Sequence, residues 1–169
     1  MSTKAEIYCF DANVLIEAWQ KYYSPKFCPG YWEILNELGI QERIFIPEMV
    51  CDEITRTEDD LSEWLKNSSR IPVHKLDEDV ISCWQNILST NTLHIQLVDN
   101  IKGRSLADPW VIAHAMKNNA TVVTKENKQT ALNSKRIKIP NVCENMGVRW
   151  IDDFQFVNEI KMHFTCKLK

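Results

Sequence analysis

The sequence predicts an α/β fold, a mostly parallel central sheet with helices on both faces. Short apolar runs of strand length recur along the chain, and amphipathic stretches of helical period separate them. Strands joined through helices pair in parallel and are buried on both faces, so they read as continuous apolar runs. Size is the further observation: 169 residues can bury one core without disulfide or metal staples. No internal repeat, linker or low-complexity tract interrupts the pattern, so one domain over residues 1–169 is expected.

The elements follow in order. "EIYCF" (6–10) is the first strand, and a helix runs from about Asn13 to Tyr23. "SPKFCPG" (24–30) carries Pro and Gly and reads as a loop, while "YWEILNELGI" (31–40) is helical with Gly39 near its end. "RIFIP" (43–47) is the second strand, and Pro47 is placed to open the helix "EMVCDEIT" at its first turn. "EDDLSEWLKNS" (58–68) sets Leu61, Trp64 and Leu65 at i, i+3 and i+4. "DEDVISCWQNILST" (77–90) repeats that period with Val80, Ile81, Trp84, Ile87 and Leu88. Residues 91–107 give weak signals and read as a loop. "DPWVIAHAMKNN" (108–119) is a helix, "ATVVT" (120–124) a strand, and "VRWI" (148–151) a last strand before a C-terminal helix.

Composition narrows the function classes. The formal net charge of −3 lacks the basic footprint usual for nucleic-acid binders. Four acids gathered around metal would leave the rest of the chain slightly positive, so charge decides neither way. The six cysteines stand apart, with no Cys-x-x-Cys pair and no zinc-type Cys/His spacing, and are expected as reduced thiols. No stretch approaches the ~18 apolar residues of a membrane span, and "MSTKAEIY" has no long apolar leader segment. A cytoplasmic protein with no membrane partner is the expectation.

In parallel α/β sheets, function collects at the carboxyl ends of the strands. Four acids fall at such places: Asp11 after strand one, Glu53 in the helix after strand two, Asp108 at the head of the helix before "ATVVT", and Glu126 just beyond that strand. Taken singly, each has a plain structural role. Asp11 and Asn13 are helix N-cap types, Asp108 is an N-cap before Pro109, Glu53 edges an apolar stripe, and Glu126 is a loop acid. Gathered together they repel, since two charges 4 Å apart cost about 4 kcal/mol at an effective dielectric of 20. Such oxygen-rich acidic clusters suit Mg²⁺ or Mn²⁺, which can activate water against a phosphodiester.

The four segments in this order resemble the motifs of the PIN-domain family, the metal-dependent nuclease fold typical of toxins in bacterial and archaeal toxin–antitoxin modules. "FDANVLIEAW", "IPEMVCDEI", "LADPWVIAHAM" and "TVVTKEN" correspond to the four motifs, with Glu126 where most members have aspartate. "RIKIPNVCENMGV" resembles a bacterial PIN-like subfamily often left as a domain of unknown function. The resemblance implies a three-layer PIN-like fold, with Asp11, Glu53, Asp108 and Glu126 as catalytic, metal-binding acids. It implies Asn13 and Thr124 as supporting residues, and Mg²⁺ or Mn²⁺ as cofactor. Hydrolysis of RNA by metal-activated water follows, with no covalent nucleophile and no histidine base. RNA as substrate and a cognate antitoxin as partner are implied too, and a homodimer is compatible.

Phosphate contacts are expected from the cations flanking two of the acids: Lys102, Arg104, Lys125, Lys135, Arg136 and Lys138. Two other readings compete. A haloacid-dehalogenase-type phosphohydrolase also places an aspartate after strand one, but wants a second acid where Asn13 stands. A catalytically silent PIN-like binding module rests on the unusual Glu126.

Overall fold

A computed structural model describes residues 5–97, 107–130 and 137–168. Strand β1 (Tyr8–Phe10) leads into α1 (Ala12–Glu17), which continues as a π-helical turn (Ala18–Tyr22) before α2 (Pro29–Ile40). Strand β2 (Ile44–Pro47) is followed by α3 (Glu48–Thr55), α4 (Asp60–Asn67), β3 (Val73–His74) and α5 (Glu78–Thr90). A 3₁₀ segment (Thr92–Leu97) precedes the undescribed stretch. Helix α6 (Asp108–Asn118), β4 (Thr121–Val123), α7 (Ile139–Met146), β5 (Trp150–Ile151) and α8 (Asp153–Glu159) complete the order.

The five strands lie in the order β3-β2-β1-β4-β5, and every neighbouring pair is parallel. The three inner strands are buried at every residue, as their unbroken apolar runs require. Helices cover both faces. Phe156 of α8 meets Tyr8 and Phe10 edge-on at 5.0 and 4.9 Å. Cys9 points the other way and its thiol reaches the Val111 carbonyl of α6 at 3.5 Å. Trp64 packs with Trp19 and Trp32, and Trp84 stacks on Trp110 at 5.2 Å, so both take the helical core positions their spacing indicates. All six cysteines are free thiols. Among the described residues no helix is long and apolar enough to cross a membrane.

Several local expectations are corrected. Helix α2 begins at Pro29 rather than Tyr31, because proline at the first helical position needs no N–H partner. Pro47 ends β2 in extended backbone and caps α3 instead of entering its first turn. Residues 92–97 are not loop but a 3₁₀ segment pinned by buried His94, whose Nδ1 lies 2.6 Å from the Ile87 carbonyl and Nε2 2.9 Å from Asn145 Nδ2. Strand β3 and helix α7 have no counterpart in the sequence reading. β3 is a two-residue edge strand with little apolar signal, and α7 ends at Gly147 with φ +68°, after only two turns.

Close packing of α2 on the approach to β3 yields a test. A Cβ on Gly39 would lie 2.8 Å from the Arg70 carbonyl carbon and 2.9 Å from Ile71 Cα, both backbone atoms that cannot rotate away. Gly39→Ala is therefore expected to destabilise the fold by roughly 1–3 kcal/mol, the range for overpacking, as read from denaturant midpoints. An unchanged midpoint would contradict this packing.

Candidate functional site

Where β1 ends, Asp11 stands in extended backbone (φ −77°, ψ 151°) at the N-cap position of α1. Its N–H donates to the Val123 carbonyl at 3.0 Å, which carries the β1–β4 pairing one residue past the strand. Its carboxylate makes no capping bond to the helix. Instead Oδ2 accepts the Thr124 hydroxyl at 3.0 Å, and the residue is only 2% exposed. The N-cap role explains the backbone of Asp11 but not its side chain.

Thr124 works in two directions. Its oxygen also accepts the Glu126 N–H at 3.1 Å, so one hydroxyl ties the chain leaving β4 to the acid leaving β1. The Glu126 carboxylate turns toward α7: Oε1 accepts from Lys138 Nζ at 2.9 Å and Oε2 from the Ile139 N–H at 2.8 Å. That N–H belongs to the first turn of α7, where unpaired donors favour an anion.

The charges of this rim act on one another. Burial pushes the Asp11 carboxyl up from its ordinary 3.8 to about 7. The Thr124 hydroxyl opposes the shift, the negative charges of Glu126 and Glu53 add to it, and the Ala12 N–H opposes it. Glu53, on α3, is itself raised by burial against the pull of Arg56. Asp11, Glu53 and Glu126 thus share one electrostatic field. Asp108 is the first residue of α6, not its N-cap, which is Ala107; the expectation for that position is corrected, with Pro109 following at the second helical position. It is 8% exposed. Since α6 runs down to the start of β4, its first turn lies at the same carboxyl edge of the sheet. Among the described residues, no three His, Cys, Asp or Glu side chains are gathered tightly enough to hold one ion. The acids share a rim, and Glu126 is directed to Lys138 and α7 rather than to a closed shell.

The supporting residues divide. Thr124 bonds Asp11, whereas the Asn13 side chain is exposed and makes no hydrogen bond among the described residues. Lys125 turns away from the acids: its ammonium bonds Asp153 Oδ1 at 2.8 Å, lies 3.9 Å from Glu17, and sits over the rings of Tyr22 and Phe154. Lys138 neutralises Glu126. Lys102, Arg104, Lys135 and Arg136 lie outside the described residues. His114 is buried with neither ring nitrogen hydrogen-bonded among the described residues, and burial lowers its pKa to about 4. It has the character of a packed imidazole.

One participant escaped the sequence reading. Asp153 stands two residues past the end of β5, at the start of α8, and is 1% exposed with only one oxygen bonded among the described residues. The signal was present in "WIDDF": a further acid at the carboxyl end of a strand.

Residues 8–164 match the family model described as a domain of unknown function, DUF4411, and the chain belongs to that family. No curated protein matches it. Among solved structures, the chain is similar to VapBC2 from Rickettsia felis bound to a DNA fragment from their promoter, at 19% identity and a TM-score of 0.52, over 86% of this chain and 98% of that one. It is similar to FitAcB from Neisseria gonorrhoeae at 18% identity and 0.52, over 85% and 96%. VapBC-1 from nontypeable Haemophilus influenzae gives 15% identity and 0.51, over 86% and 97%. At these identities the likeness is one of fold, the PIN-like α/β arrangement that the parallel sheet already defines.

The raised Asp11 pKa has a measurable consequence. The folded chain keeps a proton on Asp11 that the unfolded chain, with an ordinary carboxyl, releases. This contribution to stability is complete below about pH 4 and is lost as pH rises through about 7. Asp11→Asn keeps the volume and removes the charge. In EDTA it is expected to exceed wild type by a few kcal/mol near about pH 8 and to converge with it toward about pH 4. Denaturation curves across that range check the sign; a wild type that is the more stable at the alkaline end contradicts it.

Proposed function

We propose that the chain is a divalent-metal-dependent ribonuclease that hydrolyses RNA phosphodiester bonds, and that it acts as the toxin of a toxin–antitoxin pair. The supporting observation is an aspartate at the carboxyl end of the central strand, held by a threonine and made hard to ionise by its burial first and by two neighbouring acids second. The donor set suits a hard cation: every candidate ligand is a carboxylate, and soft ligands are absent from the set. Asp11, Glu53, Asp108 and Glu126 would hold Mg²⁺ or Mn²⁺. A cation bound there supplies an activated water and neutralises charge on the attacked phosphate.

The chain's own residues prepare that chemistry. Thr124 fixes the direction of the Asp11 carboxylate and the start of the turn that carries Glu126. Lys138 and the first turn of α7 hold Glu126 in place, and the half-exposed ammonium is sited to meet a phosphate oxygen. His94 is consumed by backbone and amide bonds and His114 is buried, so neither of these imidazoles is offered as a base. The chain is read as one domain acting in the cytoplasm, with a cognate antitoxin as its protein partner and a homodimer compatible. The VapBC and FitAB neighbours of the same fold support that pairing. A catalytically silent module gains support from one observation, that protein donors already occupy both Glu126 oxygens.

Cleavage of an RNA substrate beside a phosphomonoester, with Mn²⁺ or with EDTA, separates these readings. RNA alone should be cleaved, and only with metal. Asp11→Asn should lower the rate by more than about 100-fold, since losing even outer-shell partners of a metal costs roughly 10- to 100-fold. Wild-type cleavage by that variant would remove Asp11 from the mechanism.

Glu126 has its own pair of variants. Glu126→Asp keeps a carboxylate, so activity should survive, whereas Glu126→Gln should lose most of it. A fully active glutamine variant would leave a site of three acids, with Glu126 serving α7 alone.

A further inference from the structure

Thr124 and Glu126 turn toward Asp11 and α7, and Lys125 between them points the other way, its side chain only 15% exposed. Its ammonium is enclosed. Asp153 Oδ1 accepts from it at 2.8 Å, Glu17 Oε2 lies 3.9 Å away, and the Tyr22 and Phe154 rings stand 4.5 and 4.7 Å from it. Those two rings meet edge-on at 5.6 Å, so the pair closes over the cation. A lysine held in this way is not a free charge for a phosphate.

Asp153 is not needed to cap its helix. Asp152 does that, accepting the Gln155 N–H at 2.7 Å while its own N–H donates to the Gln155 side chain at 2.9 Å. Asp153 is nevertheless 1% exposed, and its second oxygen is unbonded among the described residues. Burying a carboxylate is costly unless a partner holds it, and here the partner is Lys125.

Placement gives the pair its effect. The β4–β5 pairing closes with the Thr124 N–H donating to the Ile151 carbonyl at 3.1 Å. Beyond that bond the two chains part, one into Lys125 and Glu126, the other into α8. The Lys125–Asp153 pair bridges the fork one residue past Thr124. Glu17 adds a third element, since it ends α1, the helix that Asp11 begins. With Lys125 pinned on one side, Thr124 is left facing Asp11, and the Glu126 N–H reaches the Thr124 oxygen at 3.1 Å. We propose that Asp153 is a positioning residue of the acid rim: through Lys125 it fixes residues 124–126, and with them the directions of the Asp11 and Glu126 carboxylates. The catalytic consequence rests on the ribonuclease reading above; the anchoring does not.

The double variant Lys125→Met/Asp153→Leu tests it, because it removes both charges at similar volume and strands neither, so the fold should persist. In EDTA, amide hydrogen exchange at Glu126 should quicken about tenfold, roughly the net worth of the bond to Thr124. With Mn²⁺ and RNA, kcat should fall by about 10- to 100-fold at unchanged KM, the order that a misplacement of about 1 Å costs. Each single variant should fall as far as the double, since either breaks the same link. Lys125→Arg, which keeps a cation for Asp153 and the two rings, should recover most of what Lys125→Met loses. Wild-type exchange and kcat in the double variant would leave the pair a structural tie and overturn the proposal. A raised KM confined to Lys125→Met would overturn it too, as the mark of a phosphate contact. So would a loss confined to Asp153→Leu, as the mark of a metal ligand. The two readings fail separately: quickened exchange in a chain that does not cleave RNA removes the ribonuclease and keeps the anchor, while cleavage with unmoved exchange does the reverse.

Discussion

A carboxylate buried at the end of the central strand is the constraint around which the rest is arranged. Moving Asp11 from an ordinary 3.8 to about 7 corresponds to roughly 4 kcal/mol at about 1.36 kcal/mol per pKa unit. The start of α1 favours the anion, but an N-terminal helix dipole is worth only about 0.3–1 kcal/mol, and one hydroxyl bond about as much. Burial and like charge win. A residue held this unfavourably is the kind that functional sites retain against stability.

The topology makes this arrangement simple to build. β1 is the central strand and β4 its neighbour, so Asp11 and Thr124 emerge side by side from one parallel ladder. β2 flanks β1 on the other side and releases α3, which carries Glu53. Helix α6 returns to the bottom of β4 and so starts at the top, where Asp108 stands. Lys125 alternates away from Thr124 and Glu126 into the pair with Asp153, beneath Tyr22 and Phe154. The three residues that leave β4 therefore face two ways: Thr124 and Glu126 turn toward Asp11 and α7, and Lys125 turns toward Asp153, Tyr22 and Phe154.

Much of the sheet was legible because it is fully buried. Continuous apolar runs such as "YCF", "IFIP" and "TVV" have no alternative but the inside of a parallel sheet. β3 was not legible, since two half-exposed edge residues carry no periodic signal. Asp108 shows the limit of local rules: Asp-Pro suggests a cap and first helical residue, yet the helix starts one residue earlier. The acids at strand ends were legible from position alone, but their partners were not. That Thr124 reaches Asp11 across 113 positions, and that Glu126 turns to Lys138 and Ile139, depends on contacts no local pattern encodes. Asn13 is the converse, conspicuous in the sequence while its side chain is exposed and without a hydrogen bond among the described residues.

Calorimetric titration of Mn²⁺ into the purified chain near neutral pH, without nucleic acid, addresses the convergence of the acids most directly. If Asp11, Glu53, Asp108 and Glu126 form one site, wild type binds the ion. Asp11→Asn and Asp108→Asn should each weaken that binding by at least about tenfold, the lower end of what loss of a metal's outer-shell partner costs. Absence of binding by wild type, or binding undiminished in both variants, would contradict a shared metal site on this rim.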